Sequence, residues 1–172
     1  MRRTPEDEAS RGELRRAGTA GAADAVAILR EVAAHFARRG SVVWTQDELR
    51  EADFVAAARA GELILGYSGG HAAATMLLQF ADPLYWPDAA PNTALYVHKV
   101  AVKRAFAGQG WLNRLVAFAA DEATARGVPH LRLDTLAGPA LRPLYERLGF
   151  AALDEPPIRV AGRCVIRMER RL

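Results

Sequence analysis

The stretch VHKVAVKRAFAGQGWLNRLV, from Val97 to Val116, decides the fold, because two kinds of secondary structure meet inside it. Its first half is an apolar run that contains His98, and its second half carries apolar residues at helical spacing. Gly108 and Gly110 stand one residue apart between the two halves. The pattern predicts a strand, a glycine turn and a helix in direct succession.

The glycine pair favours the binding of an anion. Glycine permits positive φ and lets a ligand approach the backbone. Successive N–H groups in such a turn point into a shared concavity, and the following helix adds the positive end of its dipole. These features favour a diphosphate, although two glycines also serve in a tight turn that binds nothing. A Walker loop is excluded because Trp111 and Leu112 follow the second glycine, and a dinucleotide fingerprint is excluded because Asn113 occupies the third glycine position.

The composition is that of a globular protein. The chain has 172 residues, 51% apolar and 25% charged, and its net charge of +3 comes without a long basic run, which speaks against a nucleic-acid partner. No apolar run approaches the roughly 18 residues that a membrane span needs. Cys164 is the only cysteine, so no internal disulfide is possible and a cytoplasmic location is expected.

The periodicity predicts one domain over residues 11–172, preceded by a flexible polar tail, 1–10, whose sequence MRRTPEDEAS lacks the apolar core of a signal peptide. The fourth strand, a helix and the fifth strand form a crossover unit, so those two strands should be parallel. We expect a mixed, mostly antiparallel sheet of six to seven strands with helices on both faces. The predicted strands are 11–17, 62–67, 71–80, 93–102, 130–135, 150–153 and 160–169, and the predicted helices are 24–40, 45–60, 111–127 and 139–149.

With Ala101-Val102 ending its strand and Gly108 and Gly110 opening its helix, the stretch from Val97 to Val116 resembles a segment of the GNAT superfamily of acyl-CoA-dependent N-acetyltransferases. The family signature is a strand ending in a small apolar pair, here Ala101-Val102, then a linker and Arg/Gln-x-x-Gly-x-Gly/Ala opening a helix. Downstream, LRLDT resembles the fifth strand of the family, and LRPLYERLGF, from Leu141 to Phe150, resembles its closing helix and strand. The signature reads here as Ala107-Gly108-Gln109-Gly110-Trp111-Leu112.

The chain departs from the family pattern at three places. Ala107 occupies the Arg/Gln position, and Leu112 occupies the last Gly/Ala position. The asparagine that usually precedes the closing helix is absent. Because none of these changes removes a backbone N–H group, we expect the main chain still to hold a diphosphate.

The resemblance implies acetyl-CoA as cosubstrate and a splayed pair of strands 4 and 5, often after a bulge in strand 4. The pantetheine arm would bond to the backbone at Val100 and Val102, and an N–H near Val100 or Ala101 would polarise the thioester carbonyl. An amine would attack directly, so Cys164 is not needed as a nucleophile, and its place in a predicted strand favours packing in the core. The implied cofactor-binding residues are Val100, Ala101, Val102, Ala107, Gly108, Gln109, Gly110, Trp111 and Leu112.

Two residues are candidates for the proton transfers. Tyr145 occupies the general-acid position of the family, or else it anchors its helix. His98 is the candidate base, since an ordinary pKa near ~6.5 suits deprotonation near neutral pH. In the arylalkylamine-acetylating branch of the family, two histidines occupy the positions of Tyr96 and His98, and they relay the proton through water. Strand alternation places Tyr96, His98 and Val100 on one face in the absence of a bulge, and His98 is otherwise a polar residue at the sheet surface.

The acceptor is expected to be a small-molecule or peptide amine. Tyr85, Trp86 and Tyr96 are candidates for its pocket, with local packing as the alternative for the two residues of the proline-rich loop. No metal is expected, because the other histidines have no partner at ligand spacing. A homodimer is expected by similarity. The alternative function is a GNAT-like sensor or interaction module that binds acyl-CoA without catalysing transfer.

Overall fold

The computed structural model describes residues 12–172, so the predicted polar tail lies outside the described residues. None of the helices in this range is both long and apolar enough to cross a membrane. The strands are β1 (Glu13–Arg16), β2 (Leu63–Ser68), β3 (His71–Gln79), β4 (Leu95–Val102), β5 (His130–Leu136), β6 (Ala151–Ala152), β7 (Ile158–Val160) and β8 (Arg163–Arg171), and the helices are α1 (Ala22–Ala37), α2 (Glu51–Arg59), α3 (Trp111–Ala125) and α4 (Arg142–Glu146).

The sheet is the mixed, mostly antiparallel sheet with flanking helices that the sequence predicts. Its order is β1-β2-β3-β4-β5-β8-β6, and β7 pairs with β8. The predicted parallel pairing of β4 with β5 is confirmed. Its register comprises two pairs, Leu95 with Leu131 and Tyr96 with Arg132.

The described residues fall into two compact units, one formed by residues 12–77 with 99–115 and the other by residues 78–98 with 116–172. The core of the first unit joins α1, α2 and β2 through residues such as Leu29, Phe54 and Leu65. The second unit has an apolar cluster around Trp86, Tyr96 and Val165. The boundaries of the single domain, 11–172, stay a prediction.

Local sequence explains the elements of the first unit. Helix α1 buries Val26 and Leu29, three residues apart on the face that the spacing predicts. The predicted capping box is present, because the Glu48 carboxylate accepts the N–H of Thr45 at 2.8 Å. It opens a short 3₁₀ turn, and α2 begins only after the extended residue Arg50.

The last predicted strand, 160–169, is wrong as one continuous strand. Ala161 and Gly162 both have positive φ, at 49° and 76°, and they form a two-residue turn between β7 and β8. Two successive positive φ angles are typical of tight hairpins. The turn was not predicted because Ala161 is not a residue that usually adopts such a conformation. The expectation that Cys164 packs in the core is also wrong, because its side chain is exposed on β8.

Candidate active site

The glycine loop between β4 and α3 has the conformation that its sequence predicts. Gly108 and Gly110 have φ of 77° and 79°, so both positions require the left-handed region that glycine tolerates. A β-carbon at either position would have no heavy atom within 4 Å, and residues 107–110 are exposed. The glycines are therefore needed for backbone conformation, and the space above the loop is open to a ligand.

The backbone N–H groups of residues 108–111 in this loop donate to no acceptor in the part of the chain that the structure describes. Across the described residues 12–172, no hydrogen bond uses the N–H of Gly108, Gln109, Gly110 or Trp111. The first N–H groups of a helix have no partner inside the helix, and α3 begins at Trp111. The exposed donors and the helix N-terminus together form a place where an anionic oxygen would be stabilised.

An irregularity interrupts β4 directly before this loop. Lys99 has a positive φ of 50°, which is uncommon for a residue with a side chain. Its ammonium lies 3.4 Å from Glu48 and 5.6 Å from the centre of the Trp44 ring. Two residues further on, Ala101 is buried in the core of the first unit. The change at Lys99 is the kind of irregularity that the family resemblance implies for strand 4.

In the second unit, His98 lies between two carboxylates. Its Nε2 is 3.3 Å from Oδ2 of Asp82, and its Nδ1 is 3.4 Å from Oδ1 of Asp134. The His98 side chain is 14% exposed and that of Asp82 is 5% exposed, so water screens these charges poorly. We call Asp82, His98 and Asp134 the histidine cluster.

The carboxylates change the protonation state of His98. Burial lowers the pKa of its imidazole, but the contacts with Asp134 and Asp82 and the charges of both outweigh burial and raise the pKa to about 9. The imidazole therefore carries its proton at neutral pH. The sequence-based expectation of an ordinary pKa for His98 differs from this result, because that expectation took no account of Asp82 and Asp134.

Asp82 is held in place by the loop that follows β3. Its Oδ1 accepts the N–H of Tyr85 at 3.1 Å, and its backbone oxygen accepts the N–H of Trp86 at 2.8 Å. These bonds leave Oδ2, which is buried and has no well-directed hydrogen-bond donor, turned towards His98. The proton on His98 therefore offsets a buried charge that would otherwise be costly.

Tyr145 belongs to α4 in the second unit. Its ring lies 6.1 Å from that of Phe150 in an edge-to-face arrangement. Although part of its surface is accessible, burial raises the pKa of its phenol, and the negative charge of Asp134 adds to this effect. Tyr145 therefore keeps its proton throughout the physiological range. Asp134 acts on both residues that the sequence proposes for proton transfer.

Comparison with known proteins identifies the family. The model of the Acetyltransferase (GNAT) family matches residues 29–150, which is more than half of the chain. The chain belongs to the GNAT acetyltransferase family. This GNAT protein is also 36% identical over 77 residues to acetyltransferase Atu2258 of Agrobacterium fabrum, a match that covers 45% of the chain and 56% of that relative. The chain thus spans just over half the length of this curated relative.

Solved structures share the fold of this GNAT protein. A GNAT-family acetyltransferase from Listeria monocytogenes superposes with a TM-score of 0.73 at 23% identity, over 94% of this chain and 95% of that one. YncA from Salmonella typhimurium, solved with its cofactor acetyl-CoA, gives a TM-score of 0.71 at 17% identity, over 94% of each chain. PaiA N-acetyltransferase from Thermoplasma acidophilum, solved in complex with coenzyme A, gives 0.71 at 10% identity, over 94% of this chain and 99% of that one.

Of the three aromatic residues predicted for the acceptor pocket, Tyr85 lies beside His98, with ring centres 6.4 Å apart. Trp86 packs in the interior against the guanidinium groups of Arg132 and Arg167, at 4.5 and 5.0 Å from the ring centre. Tyr96 is 6.0 Å from Trp86, and its hydroxyl lies 3.4 Å from an amino group of Arg132. All three side chains are buried, and their role in acceptor binding stays a prediction.

The contacts of Tyr96 and His98 agree with the prediction that these two residues lie on the same face of β4. Tyr96 contacts Arg132 and His98 contacts Asp134, and these partners are themselves two residues apart on β5. The positive φ at Lys99 breaks the alternation before Val100 is reached. The condition attached to the prediction, a strand without a bulge, is therefore not met for Val100.

The histidine cluster is also a group whose ligand atoms, all within 4.8 Å of one another, could hold a metal ion. However, its two carboxylates face different ring nitrogens, and an imidazole coordinates a metal through one nitrogen. A single cation would contact all three groups only after the ring had turned. The observed arrangement suits a proton better than a metal, and the expected absence of a metal stays a prediction.

Sequence reasoning missed the two carboxylates of the histidine cluster. Asp134 had a usable signal, because it is a carboxylate within the predicted strand 130–135. Asp82 had none, since it stands in a proline-rich loop, 16 positions before His98. Only the folded chain brings it to the imidazole.

Proposed function

We propose that this protein transfers an acetyl group from acetyl-CoA to a primary amine by direct attack. The observation that carries the proposal is the set of unused N–H groups at Gly108, Gln109, Gly110 and Trp111, at the N-terminus of α3. Backbone donors of this kind suit the diphosphate of CoA. Membership of the GNAT family makes an acyl-CoA thioester the expected donor.

The remaining contacts to the donor are assigned by resemblance to the family. The pantetheine arm would bond to the backbone of Val100 and Val102, and an N–H near Val100 or Ala101 would polarise the thioester carbonyl. Neither Ala107 nor Leu112 supplies a side-chain donor, so the binding energy for the diphosphate would come from the main chain.

His98 would act as the base. In the reaction, the amine nitrogen attacks the thioester carbon, His98 accepts a proton from that nitrogen, and the bond to sulfur then breaks. With a pKa of about 9, only about 1% of the His98 imidazole is unprotonated at pH 7, and this unprotonated fraction grows as the pH rises. The rate should therefore rise towards alkaline pH. Asp82 and Asp134 would hold the ring in a single orientation.

Tyr145 would act as the acid. The departing CoA thiolate needs a proton, and Tyr145 keeps its proton because its pKa is raised by burial and by Asp134. After transfer, the phenolate would recover a proton from solvent. The acceptor would be a small-molecule or peptide amine, and Tyr85, whose ring centre lies 6.4 Å from that of His98, would help to form its pocket.

The second candidate function is an acyl-CoA-binding sensor or interaction module without transferase activity. The protonated state of His98 at neutral pH favours it, as do Ala107 and the absence of an asparagine before α4. The combination of a histidine cluster with Tyr145 favours the enzyme, because a binding module needs neither group. A cytoplasmic location, a homodimer and the absence of nucleic-acid and membrane partners belong to both proposals.

The release of free thiol from acetyl-CoA with a panel of primary amines separates the two functions. We expect turnover with at least one amine and a kcat/KM that rises with a midpoint near pH 9. Tyr145→Phe and His98→Gln should each lower kcat by about 100-fold or more, with the Kd for CoA unchanged. Tight CoA binding without thiol release by any amine between pH 6 and pH 10 would favour the sensor.

The role of the carboxylates is tested in the same assay. Asp82→Asn should move the midpoint of the rate profile down from pH 9 by about one unit, because one of two charges beside the imidazolium is lost. Asp88→Asn, an exposed position in the same loop, is the matched control and should leave the profile unchanged. A midpoint that stays in place with Asp82→Asn would remove His98 as the titrating base.

A further inference from the structure

Trp111 is buried although it directly follows an exposed loop. It is the first residue of α3 and the residue after Gly110, yet its side chain is only 2% exposed. Its own backbone N–H is one of the unused donors of the loop. The indole therefore anchors the turn of the chain that carries the proposed diphosphate donors.

Two glycines on neighbouring segments make room for the indole. A β-carbon on Gly66, in β2, would press on Cζ3 of Trp111 and lie 2.8 Å from Cε3. A β-carbon on Gly12 would lie 2.6 Å from Cη2 and 2.7 Å from Cζ2 of the same ring. Real β-carbons do not approach other atoms this closely, so a side chain at Gly66 would displace the ring, and one at Gly12 would press on both the ring and the backbone oxygen of Tyr67. We call Gly12 and Gly66 the indole slot.

Arg114 covers the indole from the next turn of α3. Its guanidinium lies 4.2 Å from the centre of the Trp111 ring, and Nη2 donates to the backbone oxygen of Gly12 at 2.8 Å. Stacking over an aromatic ring and a charge-assisted hydrogen bond both add to the anchor. The same arginine therefore ties the first turn of α3 to one wall of the slot.

We infer that Trp111, seated in the indole slot and covered by Arg114, is a positioning residue for the diphosphate of the acyl-CoA donor. The ring holds the first turn of α3 still, so the loop N–H groups are aimed before the ligand arrives. Donors that are fixed in advance lose less conformational entropy on binding. The inference rests on the proposed function, since it takes the loop as the diphosphate site.

The test compares two donors. S-acetylpantetheine carries the same thioester as acetyl-CoA but has no diphosphate. Gly66→Ala should raise the KM for acetyl-CoA and the Kd for CoA by about 10-fold, because the displaced indole moves the loop. It should leave kcat with acetyl-CoA and kcat/KM with S-acetylpantetheine unchanged. Gly18→Ala is the matched control, because a β-carbon there has no atom within 4 Å and its φ is −76°.

The outcomes are distinct. Equal losses with both donors, or a lower kcat at unchanged KM, would reduce Trp111 to a structural role and overturn the inference. If Gly66→Ala does not fold, Arg114→Gln decides the question, with an expected rise of about 3-fold in the KM for acetyl-CoA alone. A wild-type protein that binds no CoA by calorimetry would instead remove the proposed function itself.

Discussion

The glycine loop and the histidine cluster are built from different parts of the chain. The loop uses main-chain donors from four consecutive residues, Gly108 to Trp111. The cluster uses side chains from three separate segments: Asp82 from the loop after β3, His98 from β4 and Asp134 from β5. The glycine loop can therefore tolerate changes of side chain that the histidine cluster cannot.

The departures from the family pattern illustrate this difference. Ala107 and Leu112 replace side chains in the signature, but the positive φ angles within the loop are supplied by its two glycines, Gly108 and Gly110. In the cluster, by contrast, the protonation of His98 depends on both carboxylates. Substitutions that alter backbone conformation should therefore affect the glycine loop most, and substitutions that alter only a side chain should affect the histidine cluster most.

The largest effect is expected when the backbone of the loop is changed. Gly110→Val places a β-branched residue at φ 79°, a conformation that such residues avoid. The loop should rearrange and lose charge-assisted contacts, so the Kd for CoA measured by calorimetry should rise by about 100-fold. Gly127→Val is the control for strain alone, since Gly127 also has positive φ and open space but lies after α3. Similar Kd values for the two variants would contradict a backbone site.

An effect of comparable size is expected on the stability of the fold, and it arises from the histidine cluster. The pKa of His98 is about 9 in the folded state and 6.5 as the ordinary value, so its stabilisation is fully present below about pH 6.5. It is lost as the pH rises through 9. Urea unfolding should show a fall of about 3 kcal/mol in the wild type between pH 6 and pH 10, relative to His98→Gln. Parallel curves for the two proteins would show that the imidazole is not held as a cation.

The smallest effect is expected from a side chain of the loop. The Gln109 side chain is exposed, and among residues 12–172 its one hydrogen bond is donated to the backbone oxygen of Ala105, at 3.3 Å. Gln109→Ala should therefore change the Kd for CoA by less than about 2-fold, as is usual for exposed positions. A large loss of affinity would mean that the loop binds through side chains, and the contrast between the two regions would fail.

Much of the fold followed from local patterns. Helix α1, the crossover from β4 to β5 and the glycine turn depend on spacing that is visible within a short window of sequence. The tight turn at Ala161 escaped prediction because the pattern of residues around it is that of a strand. The protonation of His98 escaped as well, since it is set by neighbours that are distant along the chain.

By itself, the sequence determined the loop before α3, because Gly108 and Gly110 are the residues that positive φ demands and they are contiguous with the helix that they precede. Only the tertiary structure decided the charge of His98 and the burial of Trp111. A backbone conformation is a property of neighbouring residues, whereas a pKa and a packing slot depend on which distant groups folding brings within a few ångströms.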